Sequence, residues 1–172
     1  FDKSLKMDLI KFNSDIQLKK IGERVHTLRF HVNSLFKKIE KYEYLYEASL
    51  LYAEDIGYRT GFTYPHYIYN PLKENIFKTL TIAPNIMETT IFENKYLGMN
   101  EKNGFNEIKQ FINRNSKYPG MISMLFHHSY FWLNSYTRLK MYEELLEYIY
   151  REKFHCSTHK EVYKWYKKKK AY

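Results

Sequence analysis

Residues 120–129 spell GMISMLFHHS. A glycine opens this segment, a mostly apolar run follows, and His127, His128 and Ser129 close it. A short apolar run between turn signals is typical of a strand buried on both faces. Polar groups at the C-terminal end of such a strand occupy the place where parallel-sheet folds and barrels have their sites. The pattern leaves two interpretations open: a core strand that happens to end in histidines, or a strand that presents a functional histidine.

The segments on either side of this strand predict helices and strands in alternation. Apolar spacing predicts helices over residues 4–20, 33–41, 101–117, 135–153 and 159–169, and strands over 24–30, 44–52, 79–91 and 120–129. Strands separated by helices favour parallel pairing with right-handed crossovers. The expected fold class is therefore α/β, with parallel strands that form part of a barrel or an open sheet. We expect one domain over residues 1–172, ending in a basic helix and tail at 159–172.

The composition of the chain excludes several classes of protein. The hydrophobic content of 44% and aromatic content of 19% exclude a disordered chain. No apolar run approaches the roughly 18 residues of a membrane span, and no signal peptide is recognisable. The single Cys156 excludes an internal disulfide and a cysteine-based zinc motif. The net charge of +9 leaves nucleic-acid binding open as a minor alternative, because the only dense basic block is the lysine run 167–170.

Residues 57–71, GYRTGFTYPHYIYNP, are rich in glycine, proline and tyrosine. The composition predicts a loop, yet it carries more aromatic surface than a connector needs. Aromatic rings beside hydrogen-bonding groups stack on the apolar faces of sugars. The tyrosines could instead pack over the end of a sheet, and the sequence leaves both interpretations open.

Glu88 lies among apolar neighbours in the predicted strand 79–91. A buried acid in such a setting can serve in proton transfer. The alternative is an exposed carboxylate at the end of the strand.

Six blocks occur in an order that is similar to one known family. They are RVHTLRF at 24–30, YEASLLYAE at 46–54, GYRTG at 57–61, YPHY at 64–67, IAPNIMETTI at 82–91 and MLFHHS at 124–129. Together they resemble the C-terminal half of the polysaccharide deacetylases, in a bacterial branch of that family. The resemblance covers roughly residues 15–150 and implies a partial (β/α) barrel.

The resemblance also implies roles for individual residues. His127 would be the general acid that protonates the leaving amine, and Arg24 would orient the catalytic aspartate. Tyr58, Arg59, Tyr64 and Tyr67 would line the sugar groove, and Glu88 would contribute to substrate binding.

Members of the family hold a divalent metal, usually zinc, with one aspartate and two histidines. No Asp-Asp pair occurs in this sequence, and the His-x3-His formed by His155 and His159 has no nearby acid of the required kind. The resemblance places those motifs on strands that precede the matched blocks, so no metal ligand is assigned here. His127 and His128 do not replace them, since adjacent residues of a strand point to opposite faces.

We therefore expect a polysaccharide deacetylase-like hydrolase that removes N- or O-acetyl groups from an acetylated polysaccharide or oligosaccharide when completed by its metal-binding half. A non-catalytic carbohydrate-binding remnant is the alternative from another class. A basic nucleic-acid-binding adaptor is the third.

Overall fold

The computed structural model describes residues 21–133 and 136–169, except for the side chains of Trp132 and Leu133. The helix predicted over residues 4–20 lies outside the described residues, as does Lys170 of the basic tail.

The described elements follow one another in a mixed order of helices and strands. They are a 3₁₀ turn His26–Leu28, α1 Val32–Lys41, β1 Tyr46–Glu47, β2 His66–Asn70, β3 Asn75–Thr81, β4 Ile86–Met87, α2 Glu88–Phe92, α3 Glu101–Asn115, β5 Met124–Leu125, α4 Ser129–Leu133, α5 Tyr136–Arg151 and α6 His159–Lys169.

Contacts divide the chain into two compact units. Unit 1 comprises Phe1–Ser49, Pro65–Ile82 and Thr158–Tyr172, and unit 2 comprises Leu50–Tyr64 and Ala83–Ser157. A single domain over residues 1–172 would require the two units to form one folded body, and it stays a prediction.

Unit 1 contains a three-stranded sheet of order β1-β3-β2. β1 pairs with β3 in parallel, whereas β2 pairs with β3 in antiparallel orientation. The prediction of exclusively parallel strands is wrong at β2. Only the short turn 71–74 joins β2 to β3, and a turn of that length permits a hairpin but no crossover.

Helix α1 was predicted correctly. Its apolar face buries Leu35, Phe36 and Ile39, and the Phe36 ring stacks on Phe77 of β3 at a centroid distance of 4.9 Å. The helix begins after His31, without a capping side chain.

The strand predicted over residues 24–30 does not form. Only Glu23 makes a bridge, to Glu47, and the segment then turns through the 3₁₀ element. Thr27 and Leu28 have φ angles of 62° and 56°. These left-handed conformations break an extended chain, although the residue types alternate like those of a strand.

Unit 2 contains a parallel pair of two short strands. Ile86 lies opposite Met124 and Met87 opposite Leu125 in β4 and β5. The predicted strands over 79–91 and 120–129 are therefore much too long. Pro84 separates β3 from β4, and the chain enters α2 at Glu88, so Glu88 begins a helix instead of lying in a strand.

Helices α3 and α5 match the helices predicted at 101–117 and 135–153 to within a few residues. Their buried faces supply the core of unit 2, together with residues of β4 and α2. The buried members are Ile86, Ile91, Phe92, Ile108, Phe111, Ile112, Met141, Leu145, Tyr148 and Ile149.

Helix α6 was also predicted correctly in its bounds. A capping box fixes its start: the Thr158 hydroxyl accepts from the Glu161 backbone N–H at 3.3 Å, and the Glu161 carboxylate accepts from the Thr158 N–H at 2.7 Å. Trp165 of this helix is 43% exposed.

The fold class is mixed α/β, with two small sheets and surrounding helices among the described residues. No closed barrel occurs in that part of the chain. Among the described residues, no helix has both the length and the apolar character needed to cross a membrane.

Candidate functional site

The candidate site lies where the parallel pair β4 and β5 ends in unit 2. Glu88 follows the last residue of β4 directly, and His127 comes two residues after the end of β5. Because the carboxyl ends of parallel strands meet at one edge, two polar side chains separated by 39 positions become neighbours.

Glu88 and His127 form a close carboxylate–imidazole pair. The Glu88 Oε1 atom lies 2.5 Å from His127 Nδ1 and accepts from the His127 backbone N–H at 3.0 Å. The Thr89 hydroxyl donates to the same oxygen at 3.3 Å. Only 1% of the Glu88 side chain is exposed, against 31% for His127. The carboxylate is thus the buried partner and the imidazole faces solvent.

This geometry resembles the way in which carboxylates orient catalytic histidines. A carboxylate at one ring nitrogen fixes the tautomer and stabilises the charged form of the ring. Within the described residues, Glu88 Oε2 is buried without a hydrogen-bond partner, and the His127 ring, which is held at Nδ1, is 31% exposed. Nε2 can therefore exchange a proton with a bound ligand, and that is the chemistry the pair supports.

A second acid, Glu93, forms a hydrogen bond with Tyr130, three residues after His127. The Tyr130 hydroxyl donates to Glu93 Oε1, and the Tyr130 backbone N–H donates to the His127 carbonyl at 3.0 Å. Burial, followed by the hydrogen bond to Glu93, raises the pKa of Tyr130 well above its usual value. Tyr130 therefore remains a protonated donor at neutral pH.

The guanidinium of Arg138, on α5, packs over the rings of Tyr130 and Phe92. It lies 4.8 Å from the centre of the Tyr130 ring and 5.3 Å from that of Phe92. Its Nε atom donates to Glu101 Oε1 at 3.2 Å. Cation–π contacts of this kind fix ring positions where the guanidinium is partly desolvated.

Tyr58 and Arg59, which lie in the segment 57–71 and were predicted to line a sugar groove, make structural contacts in unit 2. The Tyr58 ring packs on Phe111 at 5.7 Å, and its hydroxyl donates to the Met121 carbonyl at 3.2 Å. The Arg59 guanidinium donates to the Leu51 carbonyl at 2.9 Å. Tyr58 therefore packs against helix α3, and the groove-lining roles of Tyr58 and Arg59 stay predictions.

Exposed aromatic residues do occur on two adjoining segments of unit 2. Thr63 joins them, because its hydroxyl donates to the Pro119 carbonyl at 3.2 Å and its carbonyl accepts from the Met121 N–H at 2.8 Å. Beside these bonds lie Phe62, Tyr64 and Tyr118, with exposed fractions of 60%, 43% and 68%. Tyr64 was predicted from the sequence, whereas Phe62 and Tyr118 were not.

Two further predicted site residues, Arg24 and Tyr67, belong to unit 1. Arg24 lies near His159 and Glu23, and its charge contributes to lowering the pKa of His159, in which burial is the larger cause. Tyr67 packs against Tyr166 and accepts a hydrogen bond from Lys167 Nζ at 3.1 Å. The roles predicted for Arg24 and Tyr67 in a deacetylase site stay predictions.

The residues of the site do not fit a metal centre by themselves. Glu88 and His127 supply one carboxylate and one imidazole, and the part of the chain described here contains no group of three His, Cys, Asp or Glu residues suited to hold a metal ion. Metal sites of the hydrolytic type use three protein ligands. We therefore assign no reaction step to a metal held by these residues.

Comparisons of this chain with models of known protein families, with curated proteins and with solved structures gave no match.

Sequence reasoning missed Glu93, Tyr130 and Arg138. No motif marks these residues, because their contacts depend on how α2, α4 and α5 pack. The only signal available was the spacing of acids at the two ends of the segment 88–93.

Proposed function

We propose that this chain is the general-acid part of a polysaccharide deacetylase-like hydrolase that acts on acetylated glycans. The observation that carries the proposal is the contact of 2.5 Å between Glu88 Oε1 and His127 Nδ1 at the ends of two parallel strands. The two residues come from separate blocks of the resemblance, and the resemblance alone did not predict that they touch.

The proposed step is a proton transfer. Hydrolysis of an acetamide expels an amine, which is a poor leaving group until it is protonated. His127 would donate that proton from Nε2, while Glu88 holds Nδ1 and compensates the charge of the ring. The activation of the attacking water falls to residues outside the described pair, and we assign none of it to this part of the chain.

The proposal also implies the fold of that family, a partial (β/α) barrel. The parallel pairings of β1 with β3 and of β4 with β5 support that architecture. The antiparallel β2 departs from it and would be a local addition.

Acetate release from an N-acetylated chito-oligosaccharide by the full-length protein tests the proposal, with Zn²⁺ supplied. The expected result is turnover that falls by about 10²- to 10⁴-fold in His127→Ala, the usual contribution of a general acid. His128→Ala is the matched control, since that imidazole is adjacent and exposed. Absence of acetate release, or equal losses in the two variants, would contradict the proposal.

A second candidate function is glycan binding without catalysis. The exposed Phe62, Tyr64 and Tyr118 on segments joined by Thr63 favour it, because aromatic rings stack on sugar faces. In that case chito-oligosaccharide would shift the NMR signals of these three residues, and replacing Tyr118 with alanine would weaken binding. His127→Ala would leave the affinity unchanged.

A further inference from the structure

The segment that carries His127 is attached to α2 at both ends of that helix. Glu88, the first residue of α2, contacts the His127 ring. Glu93, which follows the last residue of α2, accepts from the Tyr130 hydroxyl. The carboxylates of Glu88 and Glu93, at the two ends of α2, thus hold the side chains of His127 and Tyr130, which are three residues apart.

Tyr130 is linked to His127 by more than sequence proximity. Its backbone N–H closes the turn 127–130 by donating to the His127 carbonyl at 3.0 Å. Its ring lies 6.5 Å from the Phe92 ring, at the end of α2, and beneath the Arg138 guanidinium. The turn, the ring and the hydroxyl therefore all contact α2 or residues packed on it.

The position of an imidazole relative to a carboxylate depends on the backbone that carries it. The Glu88 carboxylate is buried and accepts from both the ring and the backbone of His127. A rotation of the turn 127–130 would lengthen both contacts at once. The bond between Tyr130 and Glu93 opposes such a rotation, since it anchors the far end of the turn.

We propose that Tyr130 is a positioning residue for His127, and that its hydrogen bond to Glu93 holds the turn at which the imidazole meets Glu88. The catalytic meaning of this inference rests on the proposed function. The geometric part does not, because it concerns only the contact between His127 and Glu88.

The test is the rate at which the His127 Nδ1 proton exchanges with water, measured by ¹H–¹⁵N NMR on this chain. Tyr130→Phe keeps the ring, the cation–π contact and the backbone bond, and removes only the hydroxyl. We expect exchange that is roughly tenfold faster, the size of effect typical of losing one hydrogen bond to a charged group.

Tyr148→Phe is the matched control. Tyr148 is also buried in unit 2, and its hydroxyl donates to Asn113 on α3, away from the turn 127–130. This variant should leave the exchange rate unchanged. Equal acceleration in Tyr130→Phe and Tyr148→Phe, or none in either, would overturn the inference.

Variants of Glu93 provide a second test, which leaves Tyr130 itself unchanged. Glu93→Gln keeps an accepting oxygen and should change the exchange rate by no more than about twofold, whereas Glu93→Ala should reproduce Tyr130→Phe. A Glu93→Ala protein with wild-type exchange would also overturn the inference. Failure of acetate release with these NMR results intact would remove the proposed function and leave the positioning role in place.

Discussion

Glu88 is the residue on which the site depends most. It was expected to contribute to substrate binding or proton transfer, and that role stays a prediction; only 1% of its side chain is exposed. Its oxygen Oε1 accepts from Thr89 and from the backbone and ring of His127. A buried acceptor with several donors contributes to folding as well as to chemistry, because removing it leaves those donors unsatisfied.

Glu88→Ala should lower the free energy of unfolding by about 2–3 kcal/mol, since buried donors lose their charged acceptor. Glu88→Gln should cost less, within about 1 kcal/mol, because the amide keeps the volume and one accepting oxygen. Urea unfolding at neutral pH measures both values. Equal and small effects in the two variants would show that the carboxylate does not accept these hydrogen bonds.

His159 makes stability depend on pH. Burial, and to a smaller extent the charge of Arg24, lowers its pKa from the ordinary histidine value of 6.5. The folded chain then prefers the neutral ring, so this contribution is complete above pH 6.5 and is lost as the pH falls through that value toward the folded pKa. Burial raises the pKa of Glu23, which has the opposite effect and favours folding at lower pH.

Unfolding at pH 7.5 and at pH 5 isolates the histidine when wild type is compared with His159→Phe. Phenylalanine keeps an aromatic ring near Tyr46, which His159 meets edge-on at 5.8 Å. The variant should lose less stability on acidification than the wild type. His155→Asn, which changes an exposed histidine four residues earlier, serves as the control and should follow the wild type.

At the scale of elements, α2 and α3 approach each other closely at Gly104. A Cβ atom on this residue would lie 2.5 Å from Phe92 Cε1 and 2.7 Å from Ile91 Cγ2. Distances below 3 Å require the neighbouring side chains to move. The close approach matters for the site, because Phe92 ends the helix that Glu88 begins.

Gly104→Ala should destabilise the protein by about 1–3 kcal/mol, the usual cost of overpacking. Helix propensity alone predicts the opposite sign, a gain of about 1 kcal/mol. Thermal or urea unfolding decides between the two. Asn106→Ala, on the exposed side of α3, is the matched control and should be neutral or slightly stabilising.

The longer helices α1, α3, α5 and α6 were predictable because their apolar residues recur with a helical period, as Ile108, Phe111 and Ile112 do in α3. The short helices α2 and α4 were not predicted. The bounds of the strands were not predictable either, since β1, β4 and β5 have two residues each and pair with strands more than 30 positions away. Residues 24–30 alternate like a strand, but Thr27 and Leu28 adopt left-handed conformations that no propensity marks. His127 was identified from its block, whereas its contact with Glu88 required the pairing of β4 with β5.

At the scale of the whole molecule, the net charge of +9 contrasts with the acids of the site. Glu88, Glu93 and Glu101 lie near His127, Tyr130 and Arg138, respectively. The charge of the molecule therefore says little about the chemistry at His127. It bears on solubility and on non-specific association with polyanions.

Any binding to RNA should accordingly be non-specific and depend steeply on salt. We expect the affinity for a random RNA oligomer to fall by orders of magnitude between about 50 and 200 mM NaCl, as counterion release requires. Filter binding across that range measures the slope. An affinity that does not fall steeply with salt would dispose of the basic nucleic-acid-binding adaptor, since that alternative rests on net charge alone.

The most direct test of a general acid at His127 compares two leaving groups in the full-length protein. Hydrolysis of an N-acetylated chito-oligosaccharide must protonate an amine, whereas hydrolysis of 4-nitrophenyl acetate releases an anion that leaves without a proton. His127→Ala should slow the first reaction by about 10²- to 10⁴-fold and leave the second nearly unchanged. Equal losses for both substrates, or no loss for the glycan, would contradict the role assigned to His127.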